Sequence, residues 1–136
     1  GELCGIPAIP ALAAVNTQQP TAELRPSGSA QTDESDLMPY DALEAIEDAL
    51  IGERKSLKGA LDVLRALFPS VDDSVCKGWI NKFCQLWAIN QWKRERYAPA
   101  FHIDDRNLDP KTWCRFPILS GGFRRELRDL EQSIDG

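Results

Sequence analysis

The residues best suited to chemistry are three cations, Lys93, Arg94 and Arg96, which share one turn at the end of the longest apolar-periodic run. Pro99 follows and is predicted to stop the helix that carries them. Cations on a last helical turn suit the negative end of the helix dipole, so the cluster is explained either as a solvated helix end or as an anion site for a phosphate. The residue types alone do not decide between these two explanations.

Little else in the chain suggests catalysis. His102 is the only histidine and no Gly-x-Ser-x-Gly sequence is present, so no nucleophile–base pair can be identified. The sequence Ser120-Gly121-Gly122 resembles a phosphate loop superficially, but an amphipathic segment follows it, which favours a simple turn into a helix N-terminus. We therefore predict no catalytic residue and no metal site in this chain.

Composition excludes several classes of protein. The 136 residues are about one domain long. The net charge of −5 argues against a nucleic-acid-binding surface, and no apolar run approaches the roughly 18 residues of a membrane span. Cys76 and Cys84 lie about 12 Å apart if they share one helix, which is too far for a disulfide. We therefore expect reduced thiols and a cytoplasmic location, with neither a nucleic acid nor a membrane as partner.

Hydrophobic periodicity predicts a mostly α-helical chain with helices at 41–51, 56–67 and 71–95 and a final helix that starts near Phe123. Asp41 and Glu44 have the spacing of a capping box, and Ser56 is predicted to cap the second helix. The third helix carries an apolar stripe that predicts core packing. The residues of this stripe are Val75, Trp79, Ile80, Phe83, Leu86 and Trp87, followed by Asn90.

The remaining segments give weaker signals. Residues 8–15 are compatible with a short helix or a buried linker, and residues 113–119 with an extended segment. Residues 20–36 are rich in proline, glycine and serine, so they are predicted to form a long loop. A loop of this length inside a domain is either functional or a disordered linker.

Two groups of residues together resemble the NAD synthetases. The first looks like the phosphate-loop region of that family and consists of Pro20-Thr21-Ala22-Glu23-Leu24-Arg25-Pro26, Gln31-Thr32-Asp33-Glu34 and Pro39-Tyr40-Asp41. The second is similar to the tail of the long bacterial forms and consists of Lys93-Arg94-Glu95-Arg96-Tyr97-Ala98-Pro99, Phe101-His102-Ile103-Asp104-Asp105 and Trp113-Cys114-Arg115-Phe116-Pro117-Ile118. The chain thus resembles the C-terminal portion of a bacterial, glutamine-dependent NAD synthetase.

The resemblance implies a ligase that forms a carbon–nitrogen bond. ATP would activate the carboxylate of nicotinic acid adenine dinucleotide (deamido-NAD) as an adenylate, and ammonia from glutamine would displace AMP to give NAD. The implied cofactors are ATP and Mg²⁺, and the implied assembly is a homo-oligomer. Matched residue by residue, the family motifs imply ATP contacts at Thr21, Glu23 and Arg25 and deamido-NAD contacts at Lys93, Trp92 and Arg94.

Two departures from the family pattern point to the glutamine-dependent branch. Small ammonia-dependent members often have histidine where this chain has Trp92, and aspartate where it has Glu23. The family's Ser-Gly-Gly-x-Asp-Ser pyrophosphate loop is missing, because Ser120-Gly121-Gly122 is in the wrong place and lacks the acid. The chain alone is therefore expected to be inactive.

The resemblance also implies how the chain is organised. Residues 1–98 would be the C-terminal helical part of an α/β synthetase domain of the adenine-nucleotide-hydrolase-like (ATP pyrophosphatase) type, with 20–36 as a mobile ATP loop. Residues 99–136 would be a C-terminal extension with a final helix. A different hypothesis needs no missing part: the three predicted helices would form an independent all-α module that docks a protein partner without catalysis.

Overall fold

A computed structural model of the chain describes residues 10–18, 36–96, 98, 108–117, 119 and 121–133. The chain divides into two compact units, residues 1–37 and 38–136. In the first unit, helix α1 covers Pro10–Asn16. Proline suits the first position of a helix because that position needs no N–H donor. The structure thus has a helix where the sequence left a helix or a linker open, and the side chains of Leu12 and Val15 are exposed.

The second unit is helical. Helix α2 covers Tyr40–Glu47 and continues into a π-helical turn, Asp48–Gly52. Helices α3 (Leu57–Leu67) and α4 (Asp73–Ile89) follow, then the short α5 (Gln91–Glu95) and finally α6 (Arg124–Gln132). Helices α2, α3 and α4 pack on one another, and α6 packs on α3 and α4. The prediction of a mostly α-helical chain is confirmed, since the described residues contain no β-strand.

The core of this unit lies between α2, α3 and α4. Each helix contributes apolar side chains at helical spacing, as an amphipathic face requires. Val75 was predicted to belong to this core but is 43% exposed, whereas Cys76 and Cys84, which were treated only as thiols, are fully buried. The buried side chains of the three helices are Ala42, Ile46, Leu57, Ala60, Leu61, Leu64, Cys76, Ile80, Phe83, Cys84 and Trp87.

One of the two predicted helix caps is confirmed. The Ser56 hydroxyl accepts a hydrogen bond from the Gly59 N–H at 3.2 Å and caps α3. The capping box at Asp41 is wrong, because α2 begins one residue earlier, at Tyr40, directly after Pro39. Asp41 is therefore inside the first turn, where its charge still suits the helix dipole but its side chain no longer occupies the capping position.

The single helix predicted for 71–95 is interrupted. Helix α4 ends at Ile89, Asn90 leaves the helical region with φ −90° and ψ 11°, and α5 starts at Gln91. Asparagine favours such positions because its side chain competes for backbone hydrogen bonds. Helix α5 ends at Glu95, so the chain leaves the helix before it reaches Pro99, which lies outside the described residues.

The C-terminal part of the unit is built from two turns and α6. The Asp109 carbonyl accepts hydrogen bonds from the N–H groups of Trp113 and Cys114, at 3.0 and 3.1 Å, so the predicted extended segment is wrong at Trp113, which belongs to a turn. Gly122 has φ +58° in the second turn, a value that favours glycine. The prediction that these glycines form a turn into a helix is confirmed, since α6 follows at Arg124.

Candidate functional site

The candidate site is built on Trp87, a buried side chain in the last turn of α4 that is 7% exposed. Its ring stacks on Phe83, with ring centroids 5.8 Å apart, and meets the edge of Phe116 at 5.7 Å. Aromatic pairs with these geometries add stabilisation beyond the area they bury. The end of α4 is therefore fixed both to its own preceding turn and to the segment around Phe116.

Arg94 ties α5 to this tryptophan. Its guanidinium carbon lies 3.7 Å from the centroid of the Trp87 ring, which is a close cation–π contact. The Nη2 atom donates a hydrogen bond to the Trp87 carbonyl at 2.6 Å, so it satisfies a carbonyl in the last turn of α4. Partial burial lowers the pKa of the Arg94 guanidinium from its usual value. Arg94 is thus a packing residue, and its predicted contact with deamido-NAD remains a prediction.

Gln91 gives α5 a second attachment that the sequence did not reveal. Its side-chain Nε2 donates to the Pro117 carbonyl at 2.9 Å, and its Oε1 accepts from the Leu119 N–H at 2.8 Å. Both ends of the amide are therefore used on a segment 26 and 28 residues away in the sequence. No signal in the sequence marked Gln91, because the apolar repeat predicted a continuous helix through this position.

The exposed side of the same turn carries Trp92, Lys93 and Arg96. The indole of Trp92 is 56% exposed. The Lys93 Nζ lies 5.8 Å from the centroid of this ring and the Arg96 guanidinium carbon lies 5.9 Å from it. We call these three residues the basic turn. It presents an exposed aromatic ring with two positive charges close to it, a combination that suits a ligand with both a planar ring and a phosphate.

Cys114 is a buried thiol whose pKa responds to the charge of Arg94. Burial raises the pKa of its thiol, while the charge of Arg94 acts in the opposite direction. A thiol with a raised pKa is a poor nucleophile at neutral pH. Cys114 therefore belongs to the packing around Arg94.

A cavity of about 430 Å³ lies among α3, α4 and α6. Its lining is mainly apolar and includes Trp87, Phe116, Phe123 and Leu130, with Lys58 and Glu126 at polar positions. Trp87 and Phe116 thus form part of the cavity lining and are also in the aromatic cluster that carries Arg94. The Trp87 Nε1 has no hydrogen-bond partner but is shielded from solvent, so the indole N–H is not presented to a ligand in this cavity.

The other predicted site residues are the ATP contacts. Thr21, Glu23 and Arg25, the predicted ATP contacts, lie outside the described residues, as does the rest of the predicted ATP loop up to residue 35. Within the described ranges, no group of histidine, cysteine and acidic side chains could hold a metal ion. No helix in those ranges is both long and apolar enough to cross a membrane.

No protein-family model matches the chain, but individual proteins do. It is 31% identical over 121 residues to the glutamine-dependent NAD(+) synthetase of Xanthomonas campestris, a match that covers 86% of this chain and 18% of that protein. It is 32% identical over 104 residues to the enzyme of the same name from Synechocystis, covering 76% of this chain and 16% of that protein.

A solved structure that matches the chain is an enzyme of the same name. The crystal structure of a glutamine-dependent NAD(+) synthetase from Cytophaga hutchinsonii matches 70% of this chain with a TM-score of 0.60 and 52% identity, over 16% of its own length. The chain therefore spans less than a fifth of the relatives it matches. Over most of its length, it is homologous to a segment of the glutamine-dependent NAD(+) synthetases.

Proposed function

We propose that this chain is part of a glutamine-dependent NAD(+) synthetase and that its basic turn binds the dinucleotide substrate. The complete enzyme would convert deamido-NAD to NAD through an adenylate formed from ATP, with ammonia released from glutamine. The observation that carries the proposal is the homology: the chain is 31–52% identical to segments of three proteins that bear this name. The exposed Trp92, Lys93 and Arg96 then supply the chemistry that a dinucleotide requires.

The basic turn matches the two kinds of group in a dinucleotide. Lys93 is exposed on α5, so it can meet a phosphate as a compact point charge. The exposed ring of Trp92 offers a face on which a nicotinate or adenine ring can stack. Arg94 points inward onto Trp87, which leaves Lys93 and Arg96 as the two cations of this turn beside the Trp92 ring.

Residues 20–36 would contribute the ATP contacts of the proposed enzyme. This assignment rests on the motif around Thr21, Glu23 and Arg25 alone. ATP would bring Mg²⁺, which neutralises polyphosphate charge when it is bound. The described residues contain no ligand set for that ion, so we assign it to no residue of this part and derive no step through it.

The finer organisation of the proposed enzyme rests on the same resemblance. Residues 1–98 would belong to the C-terminal part of an α/β ATP-pyrophosphatase domain and 99–136 to an extension. We further propose a cytoplasmic homo-oligomer in which this chain contributes binding residues and no catalytic one. The alternative, an independent helical module that docks a protein partner, is not favoured, because the relatives named above are synthetases.

Lys93→Ala in the full-length synthetase that contains this chain tests the proposal. Loss of a charged hydrogen bond costs about 1.5–3 kcal/mol, so the Michaelis constant for deamido-NAD should rise roughly ten- to a hundredfold while that for ATP stays the same. Lys58→Ala is the matched control, since Lys58 is an exposed lysine on α3. Unchanged Michaelis constants for Lys93→Ala, with folding intact by circular dichroism, would show that the basic turn is only a solvated helix end.

A further inference from the structure

The short helix α5 cannot hold its own position. It has five residues, none of them buried, and an isolated helix of that length is unstable in water. Asn90 also separates it from α4, so its direction does not simply follow from the packing of that helix. The place of Lys93 and Trp92 must therefore be set by side chains of α5 that reach other parts of the fold.

Two side chains do this, and they act in different ways. Arg94 lies on Trp87 and attaches α5 to the end of α4, which immediately precedes it in the sequence. Gln91 attaches α5 to the chain segment that leads into α6. Without Gln91, α5 would keep its attachment to α4 but would be free to turn about the break at Asn90.

The Gln91 contact has the form of a backbone pairing. The Pro117 carbonyl and the Leu119 N–H flank a single residue, and the primary amide offers one donor and one acceptor to them. This two-point contact fixes both the distance and the orientation between the start of α5 and residues 117–119. Glutamate lacks the donor and asparagine is one methylene shorter, so neither of these close relatives reproduces both hydrogen bonds.

We propose that Gln91 is a positioning residue for the dinucleotide site: it holds α5 so that Lys93 and Trp92 meet their ligand. The inference rests on the proposed function, because it assigns a purpose to the place of Lys93. Gln91 itself is assigned no contact with the substrate. It acts through Lys93, which lies two residues further along the same helical turn.

Kinetics of the full-length synthetase test the inference. Gln91→Leu should raise the Michaelis constant for deamido-NAD about tenfold, the equivalent of one or two ordinary hydrogen bonds, with no change in that for ATP. Gln91→Glu keeps the acceptor for the Leu119 N–H but loses the donor to the Pro117 carbonyl, so it should have an effect in the same direction. Gln85→Leu is the matched control, because the Gln85 amide donates to Asn81 within α4 itself.

A double-mutant cycle separates positioning from a general structural role. If Gln91 acts through the basic turn, Gln91→Leu should change the Michaelis constant for deamido-NAD in the wild-type background and have a clearly smaller effect when Lys93→Ala is already present, because only the Trp92 contact is then left to misplace. Effects that multiply in the double variant would overturn the inference. If Gln91→Leu does not fold, the same cycle with Gln91→Glu gives the answer.

The Lys93 and Gln91 variants also separate a failure of the proposed function from a failure of the positioning role. An unchanged Michaelis constant for Lys93→Ala would refute the proposed function and with it the purpose of the Gln91 contact. A raised value for Lys93→Ala together with unchanged values for both Gln91 variants would leave the proposed function standing and overturn the positioning role.

Discussion

Arg94 should contribute more to the stability of this fold than any other cation of its turn, and Arg94→Ala tests this in the 136-residue chain. The substitution removes a charge-assisted hydrogen bond to the Trp87 carbonyl, 2.6 Å long, and a cation–π contact at 3.7 Å. Hydrogen bonds to charged groups are worth about 1.5–3 kcal/mol and exposed cation–π pairs about 0.5–1 kcal/mol. Because Arg94 is only half-buried, we take the lower ends and expect a loss of about 2 kcal/mol.

Arg96→Ala is the control for this prediction. Arg96 carries the same charge two residues away, but it is exposed and lies 5.9 Å from the Trp92 ring. Its removal should cost less than about 0.5 kcal/mol, as is usual for surface substitutions. Arg94→Lys should fall between the two, since a lysine keeps the charge but has no planar group to lay on the indole.

Urea unfolding, followed by circular dichroism and tryptophan fluorescence, measures the difference. In a unit of this size, a loss of about 2 kcal/mol corresponds to a fall in melting temperature of roughly 8–16 °C. The two signals should change together if unfolding is two-state. Coincident unfolding curves for Arg94→Ala and Arg96→Ala would refute the packing role of Arg94. They would favour the other explanation that the sequence allows, in which Arg94 is part of a solvated helix end.

Two further predictions concern the helices that support the site. Ser56→Ala should lower the free energy of unfolding by about 1 kcal/mol in a urea titration, because the Gly59 N–H loses its hydrogen-bond acceptor. Ser70→Ala, in the exposed turn before α4, is the control and should have little effect in the same titration. Burial raises the pKa of the Cys84 thiol to about 12, so Cys84 should resist iodoacetamide at pH 8 in the native chain and react once urea unfolds it, as mass spectrometry of the modified peptide would show. The same raised pKa determines how stability depends on pH. The contribution of Cys84 to the free energy of unfolding is complete below the pKa of the unfolded thiol, near 8.5, and is lost as the pH rises toward 12. Rapid labelling of native Cys84 at pH 8 would contradict the buried position.

The sequence predicted the helices well because periodicity reports directly on burial. The α3 helix follows its apolar repeat and its serine cap closely, and α6 appears where the Gly121-Gly122 turn was expected to lead. The failures occur where a tertiary contact or a backbone preference overrides the pattern. Asn90 interrupts a repeat that continues through it, since asparagine competes for backbone hydrogen bonds, and beside it the Trp87 carbonyl accepts a hydrogen bond from the Arg94 side chain.

The candidate site was predicted only in part for a related reason. Charge clustering located Lys93, Arg94 and Arg96, but it could not show that Arg94 faces inward and the other two do not. The partners of Arg94 and Gln91 are set by the path of the chain and not by local spacing. Gln91 reaches residues 117–119 across more than 25 positions, a contact that no local pattern of residue types encodes.

The two attachments of α5 should therefore separate in experiment. Arg94 rests on Trp87, a core residue whose ring packs against Phe83 and Phe116, so a change at Arg94 disturbs the core and should appear mainly as lost stability. Gln91 makes its two hydrogen bonds in partly solvated surroundings, where water can replace them at small cost. A change at Gln91 should therefore leave the fold nearly as stable while it releases the direction of α5. If the basic turn binds a dinucleotide, substitutions of Gln91 will lower the affinity for that ligand while the free energy of unfolding hardly changes. That combination is what a positioning residue requires.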